Sequence, residues 1–595
     1  RPPATRLHNA LVIALVAALA TACADEPSTS APGLQLHFAA LAAGGCEAHP
    51  NGSGKLPAEI ATLSAVIEIG NSVTDPQRIS AAKVESGRWV IGPLPAAKDP
   101  TEQADVIVYG CDSANKVIYQ GRSNGTLIPD QSDANVKMFL VPVGKLACTG
   151  NKAVNTAQGQ SHHLNTARSF IATAVMANGD VVATGGIGDW DGATRKGLGS
   201  LDTEIYRHDG GFFRKGPALL DKRIWHHAIA LNEAKVLVVG GVTEVAAQGG
   251  LPSPLLAPSN IPAALPKNKA EIISVVANAA GTFEQTQVAD KVDVGVGALF
   301  MSSAIKTGDT VTFVGGIEAA DKVANRATRV SDFAGIAAGN AGKSETLNLN
   351  VPRIRPGLLA FADGTIVVWG GSQKGNDDIG ELGELLLPNS ATATAIKVTG
   401  AAALMADPLI ASYAPTVVML SRTDTTMIFV VTGGMPRQSV TNATAAMSYL
   451  VVLDKAGTAS LKELDLGGIK LHAGLGAGAA HLVSGHALIA GGLIGLSGVA
   501  PCDAGASECL LGSATLLLPP SSTDGDKVTL DAKTVDLGAV RAGIAITPLP
   551  AGALLLGGQS SIVTGTDKGP DALDPSGKVL AGELSTEAEK KICGG

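Results

Sequence analysis

The chain has 595 residues, a length that fits about four ordinary domains or one long array of repeats. Its 45 Lys and Arg residues are outnumbered by 53 Asp and Glu residues, so the net charge is −8 and no basic excess is present to neutralise nucleic-acid phosphates. Glycine (72 residues) and proline (31 residues) are abundant, whereas aromatic residues make up 3%. This composition excludes a disordered chain or a collagen and indicates many short apolar strands joined by tight turns.

Residues 1–22 have the pattern of a secretory signal peptide, with a basic start and an uncharged apolar run too short to span a bilayer. The run ends Ala20-Thr21-Ala22-Cys23, which resembles a bacterial lipobox, although lipoboxes usually carry Leu at the position of Ala20. We therefore expect Cys23 to carry an N-terminal lipid and residues 23–33 to form a polar tether. By resemblance to bacterial sorting rules, Ala24 indicates the outer membrane, on its periplasmic or surface side. The alternative is plain secretion.

Residues 34–147 contain apolar or alternating runs at short intervals, which predicts an all-β sandwich. In strand pattern this segment resembles the small immunoglobulin-like modules of secreted bacterial proteins. Its expected task is to hold the rest of the chain away from the membrane. The alternative is carbohydrate binding, for which Trp89, Tyr109 and Tyr119 are the candidates to stack on sugars, although core packing explains them as well.

Six cysteines remain after Cys23, an even number in an exported and therefore oxidising context. Cys502 and Cys509 lie close together and suggest a local bridge, while Cys46 and Cys111 both fall in the N-terminal segment. That leaves Cys148 with Cys593 at the two ends of the remaining chain. Spacing alone does not select among the pairings, and buried thiols are the alternative. No Cys or His spacing typical of zinc occurs.

Seven Gly-Gly doublets, on average about 60 residues apart, close short apolar strands over the remaining three quarters of the chain. They are Gly185-Gly186, Gly240-Gly241, Gly315-Gly316, Gly370-Gly371, Gly433-Gly434, Gly491-Gly492 and Gly557-Gly558. An arginine precedes four of the doublets at a nearly constant distance: Arg168, Arg223, Arg353 and Arg541. A turn signal lies between arginine and doublet, which predicts a hairpin, and a further strand such as TEIY or AEII follows. Four strands in each of seven units is the pattern of a β-propeller.

The segments ARSFIATAVMANGDVVATGG, KRIWHHAIALNEAKVLVVGG and PRIRPGLLAFADGTIVVWGG resemble kelch repeats of the bacterial type, with His226 at the histidine position of that repeat. The resemblance covers residues 148–595 and implies a propeller of seven blades, with six as the alternative. Glycines without a Cβ allow close backbone approach, so we expect a structural role for the doublets. We expect the arginines to make structural hydrogen bonds within or between blades; ligand binding by an arginine ring is the alternative.

A β-sandwich followed by a kelch propeller is also the layout of galactose oxidase and its copper-radical relatives. That chemistry needs a tyrosine cross-linked to cysteine, a second tyrosine and two histidines, and none of the five tyrosines here is followed by histidine. The doublets His162-His163 and His226-His227 are conceivable metal ligands, but adjacent strand residues point to opposite faces, so each doublet offers only one histidine to a given side. We expect no metal site and no catalytic residues.

Two loops carry clustered carboxylates, GDWDG (Asp189, Asp191) and NDDIGELGE (Asp377, Asp378, Glu381, Glu384). Neither matches a spaced calcium loop, so we expect them to be solvated surface groups.

The sequence thus predicts a non-catalytic, lipid-anchored kelch-propeller protein that binds a protein partner in a bacterial envelope or surface assembly, without a cofactor and without nucleic acid. The expected contact surfaces are the long insertions at 251–269, 317–344 and 493–513, unless these fold back over the blades. The alternative is a carbohydrate-binding protein or an enzyme that uses the central pocket. Convergent carboxylates, histidines or aromatics in that pocket would favour the alternative; an apolar or plugged channel would exclude it.

Overall fold

The computed structural model describes eleven main stretches of the chain and two short ones, apart from gaps of one to four residues inside them. They are residues 34–40, 56–91, 103–127, 135–149, 160–252, 270–276, 287–289, 300–371, 382–405, 412–436, 448–492, 512–559 and 577–594. Cys23, Cys46, Cys502, Cys509 and the insertions at 253–269 and 493–511 lie outside these stretches. The described chain is all-β, with many antiparallel sheets and three short helices.

The N-terminal segment contributes nine strands to one connected sheet. They are β1 (Leu34–Ala40), β2 (Thr62–Ile69), β3 (Ser72–Val73), β4 (Gln77–Ser80), β5 (Arg88–Ile91), β6 (Gln103–Cys111), β7 (Val117–Arg122), β8 (Thr126–Leu127) and β9 (Asn135–Pro142). The main order is β3-β2-β6-β7-β9-β1-β5, with β4 beside β2 and β8 beside β6. Strand β9 runs parallel to β1 and pairs with β7 in the antiparallel sense. The group of β5, β1 and β9 is thereby joined to the other strands through the β9–β7 pair.

Both faces of the β2–β6 pair are buried, because successive strand residues point to opposite sides. One face, including Leu63 and Val108, packs with Met138 and other residues of β9 in a local core. The opposite face, including Val66 and Ile107, belongs to a hydrophobic cluster shared with the C-terminal part of the chain. The N-terminal segment is thereby packed against the remainder of the protein.

The rest of the chain contains thirty-nine described strands. The first part has β10 (Ala147–Cys148), β11 (Gln160–Ser161), β12 (Ala172–Val175), β13 (Val181–Thr184), β14 (Ile187–Asp191), β15 (Lys196–Gly199), β16 (Thr203–Arg207), β17 (Phe212–Lys215), β18 (Ile224–Ala230), β19 (Lys235–Val242), β20 (Glu244–Gln248), β21 (Leu251–Pro252), β22 (Ala270–Ser274) and β23 (Gln287–Ala289). The middle part has β24 (Ser303–Thr307), β25 (Thr310–Val314), β26 (Ile317–Ala319), β27 (Lys322–Val323), β28 (Arg326–Ser331), β29 (Lys343–Asn348), β30 (Gly357–Ala360), β31 (Ile366–Trp369), β32 (Gly383–Leu386), β33 (Thr394–Ala395) and β34 (Lys397–Gly400). The last part has β35 (Ser412–Tyr413), β36 (Thr416–Arg422), β37 (Thr426–Thr432), β38 (Met435–Pro436), β39 (Tyr449–Asp454), β40 (Thr458–Asp465), β41 (Gly478–His481), β42 (Ala487–Ala490), β43 (Ser513–Leu517), β44 (Lys527–Thr529), β45 (Ala532–Asp536), β46 (Ala545–Leu549), β47 (Gly552–Leu556) and β48 (Gly577–Leu580).

Seven antiparallel sheets recur along this region, and we number them by their first strands. Sheet 1 is β12-β13-β16-β17-β11, sheet 2 is β18-β19-β22-β23, sheet 3 is β24-β25-β28-β29, sheet 4 is β30-β31-β32-β33, sheet 5 is β36-β37-β39-β40 with β34 and β44 added in parallel to β40, sheet 6 is β41-β42-β43-β45, and sheet 7 is β46-β47-β48-β10. Sheet 7 combines three C-terminal strands with β10 from the start of the region. Three further sheets are the four-stranded β14-β15-β20-β21 and the two-stranded β26-β27 and β35-β38.

The first strands of successive sheets contact one another. Contacts join β12 to β18, β24 to β30, β30 to β36, β36 to β41, β41 to β46, and β46 back to β12. Sheets 2 and 3 are joined by a shared cluster that includes Leu237 and Phe313, and by a hydrogen bond from Lys306 Nζ to the carbonyl of Ala230 (3.1 Å). The last sheet is therefore in contact with the first.

Three short helices occur in the described residues: α1 (Phe333–Ala337), α2 (Ala402–Met405) and α3 (Thr586–Ile592). None of the helices in these stretches is both long and apolar enough to cross a membrane. Helix α1 packs Phe333 and Ile336 into the core that sheets 2 and 3 share. Residues 317–344 were expected to be a contact surface unless they fold back over the blades. They include β26, β27, β28 and α1, and Phe333 and Ile336 are buried, which favours the alternative for this insertion.

The chain's C-terminus is tied to the N-terminal segment. Cys111, at the end of β6, forms a disulfide with Cys593, just after α3, with Cα atoms 5.9 Å apart. Arg78 of β4 donates hydrogen bonds to the carbonyls of Lys591 and Ile592 (2.7 and 2.8 Å). The expected partition of cysteines, Cys46 with Cys111 and Cys148 with Cys593, is therefore wrong. The cause is that β6 and α3 meet at the cluster between the N-terminal segment and sheets 7 and 1, a contact that spacing does not reveal.

We expect a non-reducing peptide map to contain a linked Cys111–Cys593 peptide that disappears on reduction. Replacing both cysteines by serine should lower the free energy of unfolding by about 2–5 kcal/mol, because the bond closes a very long loop in the unfolded chain. Chemical denaturation measures this loss. A peptide that links Cys148 to Cys593 would contradict the pairing.

Candidate functional site

Arg353 is a fully buried cation with a defined set of partners. Its exposed fraction is 0%, and its Nη1 donates to the carbonyl of Gly370, the first glycine of a doublet, at 2.7 Å. Its Nε and Nη2 contact Glu384 Oε1 at 2.7 and 2.5 Å. The other oxygen of Glu384 accepts the backbone N–H of Asn350 at 2.7 Å. A buried charge needs such pairing, since an unpaired one would be very costly.

The same unit recurs in sheets 1 and 2. Arg168 donates to the carbonyl of Gly185 (2.8 Å) and pairs with Glu204 (2.9 Å). Arg223 donates to the carbonyl of Gly240 (2.6 Å) and pairs with Glu271 (2.8 Å). In sheet 7, Arg541 Nη1 is 3.3 Å from the carbonyl oxygen of Gly557. Burial lowers the pKa of Arg168, while Glu204 opposes that effect.

The three glutamates were missed by the sequence analysis. Glu204 and Glu271 lie in the strands TEIY and AEII, which were identified only as strands, and Glu384 was expected to be a solvated surface carboxylate. Glu384 is instead 1% exposed, so that expectation is wrong. The sequence feature that could have identified these glutamates is an acidic residue at the second position of an otherwise apolar strand, which recurs in sheets 1, 2 and 4.

The second glycine of a doublet connects neighbouring sheets. The N–H of Gly186 donates to the carbonyl of Arg223 (2.9 Å), and that of Gly558 donates to the carbonyl of Arg168 (2.9 Å). Gly316 with Arg353 and Gly492 with Arg541 repeat the contact at 2.8 and 2.7 Å. All these glycines have positive φ, and a Cβ on Gly557 would lie 2.1 Å from the carbonyl oxygen of Arg168. The doublets therefore serve close backbone approach between sheets.

At the start of each sheet that has the arginine, the residue two positions after it also has positive φ. In the sheets without that arginine, the residue at the same place in the repeat has positive φ. Five of these seven residues are not glycine, which is unusual because a side chain in this conformation is strained by about 1–3 kcal/mol. The set is Phe170 (54°), Trp225 (54°), Met301 (56°), Arg355 (41°), Ala414 (47°), Gly476 (74°) and Gly543 (68°). We call these seven residues the left-handed set.

Backbone hydrogen bonds between members hold part of the left-handed set in place. The N–H of Phe170 donates to the carbonyl of Gly543 (2.8 Å), and the N–H of Gly543 donates to the carbonyl of Gly476 (2.9 Å). The N–H of Arg355 donates to the carbonyl of Met301 (2.8 Å). Each of these bonds crosses from one sheet to the next, so the strain is compensated by contacts between sheets.

Six members of the set, all except Ala414, line a cavity of about 370 Å³. His226, His227 and Ser302 also line it. The aromatic wall consists of Phe170 and Trp225, whose rings meet edge to face with centroids 5.6 Å apart. The lining is mostly polar and includes these two rings, and a concave pocket with a few convergent polar groups is the usual form of a small-molecule site.

The two adjacent histidines point in opposite directions, as strand geometry requires. His226 Nε2 lies 2.8 Å from Thr184 Oγ1 of sheet 1, and His227 Nε2 lies 2.8 Å from Ser302 Oγ beside sheet 3. Burial lowers the pKa of His226 well below its ordinary value. Burial and the charge of Arg355 lower the pKa of His227 to about 4. Both side chains are therefore neutral at neutral pH. In the other doublet, His163 Nδ1 contacts the carbonyl of Leu164 (2.8 Å), and the side chain of His162 lies outside the described residues.

Arg355 is the cation of the cavity. Burial lowers its pKa to about 10, so it stays charged at neutral pH. No described carboxylate forms an ion pair with it, and no Asp or Glu is among the described residues that line the cavity. The indole Nε1 of Trp225 is buried and has no hydrogen-bond partner in the described part of the chain.

The chain matches no protein-family model, and a search of curated proteins finds no significant match.

Aromatic residues considered earlier lie outside the cavity. Tyr206 packs on Phe213, and Tyr449 accepts a hydrogen bond from Trp369 Nε1 (3.0 Å). Tyr109 and Tyr119 are 8% and 1% exposed, so they are core residues rather than a surface for stacking sugars. The side chain of Trp89 lies outside the described residues.

Asp180, His208 and Asp209 form a group whose ligand atoms lie within 4.8 Å of one another. Arg207 pairs with both carboxylates, at 3.3 Å each. The single charge of Arg207 therefore offsets one of the two negative charges and occupies one oxygen of each carboxylate, and we assign no metal site there.

The first prediction for this region concerns the buried ion pair. Arg353→Leu and Glu384→Leu should each lower the free energy of unfolding by about 3–5 kcal/mol, because each leaves an uncompensated buried charge. The double variant removes both charges, so its loss should be at least about 2 kcal/mol smaller than the sum. Urea denaturation gives all three values. Arg422→Leu, an exposed control, should change stability by less than about 1 kcal/mol. Strictly additive losses would contradict the assignment.

The second prediction concerns acid stability. The pKa of His227 is about 4 in the folded chain and 6.5 ordinarily, so between these values the unfolded chain binds a proton that the folded chain does not. Stability should therefore fall as the pH drops from 6.5 to 4, by at most about 3 kcal/mol from this group. His227→Gln should reduce that fall, measured by urea denaturation at several pH values. If His227→Gln leaves the pH dependence of the free energy of unfolding unchanged, the prediction is wrong. His481→Gln is the matched control and should leave that dependence unchanged.

Proposed function

We propose that the seven sheets are the blades of a kelch-type β-propeller. The observation that carries the proposal is the cyclic order of contacts, in which the first strand of each sheet meets that of its neighbour and the Gly558–Arg168 hydrogen bond joins sheet 7 to sheet 1. The recurring Arg–Gly contact across four sheets supports equivalent blades. Completion of sheet 7 by β10 fits the way in which propellers leave few exposed sheet edges.

We also propose that residues 34–147 are a β-sandwich module fixed to this propeller. The parallel pairing of β1 with β9, beside a group of antiparallel strands, supports two layers rather than one flat sheet. The shared cluster with sheets 7 and 1, the Cys111–Cys593 bond and the Arg78 contacts all favour a fixed orientation. Such a module would act as a rigid spacer.

The proposed biochemical role is that of a non-catalytic interaction protein of a bacterial cell envelope, anchored by a lipid on Cys23. Residues 1–33 lie outside the described residues, so the signal peptide, the tether and the outer-membrane address rest on their sequence pattern. A closed array of sheets with long connections is suited to presenting a partner-binding surface. The insertions at 253–269 and 493–511 are the proposed contact segments.

The test is mass analysis of the N-terminal peptide together with purification from the native membrane in mild detergent. A di- or triacylated Cys23 and a stoichiometric protein partner are the expected results. Cys23→Ser should move the protein to the soluble fraction, whereas Cys148→Ser, the matched control, should leave it in the membrane fraction. An unlipidated protein without a partner would overturn the proposal.

The second candidate function is small-ligand binding in the cavity. The observation that favours it is a pocket lined by two histidines and two aromatic rings, the residue types that were expected to distinguish this function. The cavity is neither fully apolar nor filled. The described lining residues include no carboxylate, so this candidate is a binding site and not an acid–base catalyst of the glycosidase type.

A further inference from the structure

We propose that the cavity binds a small organic monoanion, namely a carboxylate carried on a flat apolar body. This proposal rests on the second candidate function, small-ligand binding in the cavity, and does not depend on the lipid anchor or on a protein partner.

The charge of the cavity determines the sign of the ligand. Arg355 contributes one positive charge that no described carboxylate balances, while His226 and His227 are neutral at neutral pH. Arg355 is half-buried, so its charge is less screened by water than at an open surface, and an incoming anion gains a charge-assisted interaction there. A single guanidinium suits one carboxylate, which it can bind through two parallel hydrogen bonds. A ligand cation would be repelled.

The backbone keeps Arg355 in this position. Its φ of 41° is sterically strained, and a hydrogen bond from its N–H to the carbonyl of Met301 crosses to the neighbouring sheet. Pro356, which follows it, also lines the cavity and has a fixed φ. Strain of this kind persists where the surrounding structure enforces it, and it is concentrated at ligand sites. The backbone of Arg355 is therefore held in place at the cavity.

The apolar side chains in the cavity wall determine the body of the ligand. Phe170, Trp225 and Met301 offer two rings and a thioether, groups that pack well on a flat apolar surface. A volume of about 370 Å³ fits a ligand of one or two fused rings.

The first experiment compares 2-naphthoate with its neutral isostere 2-naphthamide by calorimetry on the purified full chain. We expect naphthoate to bind with a Kd of about 1 mM or tighter, and at least about tenfold more tightly than the amide. Equal affinities, no binding of either probe, or binding of a neutral disaccharide in place of naphthoate would overturn the proposal.

Variants then test the assigned groups. Arg355→Gln should weaken naphthoate binding at least about tenfold and leave amide binding unchanged, and Arg355→Lys should recover part of the loss. Arg422→Gln removes an exposed arginine outside the cavity and should have no effect. Unchanged affinity in Arg355→Gln would overturn the proposal.

A photo-labelling experiment locates the site even if the Arg355 variants do not fold. Irradiation of the wild-type chain with 4-azidobenzoate should label peptides that contain Phe170, Trp225 or Met301, and excess naphthoate should suppress the labelling. Labelling confined to other peptides, or labelling that naphthoate does not suppress, would overturn the assignment.

Discussion

The buried contact between an arginine, a glutamate and a glycine doublet holds together the strands of sheets 1, 2 and 4 and ties each of these sheets to a neighbour. In sheet 4, Arg353 holds the end of one strand to Gly370 and Glu384. Its own carbonyl accepts the N–H of Gly316 from the preceding sheet. One residue therefore links three strands within a sheet and connects two sheets. Because both charges are desolvated, the unit stabilises the fold only when every partner is in place.

The segment that follows the arginine position contributes residues to the cavity wall in every sheet except sheet 5. Two residues beyond the arginine position the backbone enters the left-handed region, and hydrogen bonds between sheets hold it there. The rigid arginine unit thus supports a strained segment whose side chains differ from sheet to sheet: aromatic in sheets 1 and 2, cationic in sheet 4 and absent in sheets 6 and 7. Repetition of the scaffold with variation at one position is a physical route by which a symmetric array forms an asymmetric site.

The N-terminal segment is joined to this region by hydrophobic and covalent contacts. Strands β2 and β6 use one face for their own core and the other for the shared cluster, so separation of the two parts would expose Val66 and Ile107 to water. The Cys111–Cys593 bond adds a covalent link at the same place. Motion between the parts is restricted by these contacts, which suits the role of a rigid spacer in the proposed envelope protein.

The sequence by itself determined the strands, the turns, the doublets and the arginines, because hairpin periodicity and the need for glycine at positive φ are local properties of the chain. The tertiary structure decided which groups meet. Glu384 reads as a surface carboxylate in its acidic loop, and only the approach of the third strand to Arg353 buries it. Cys111 and Cys593 are 482 residues apart, and their pairing follows from the docking of α3. Trp225 and Arg355 give no local sign of a left-handed backbone, since large side chains disfavour it and contacts between sheets impose it. These features depend on residues distant in sequence, and the energies that select them exist only once the sheets are packed.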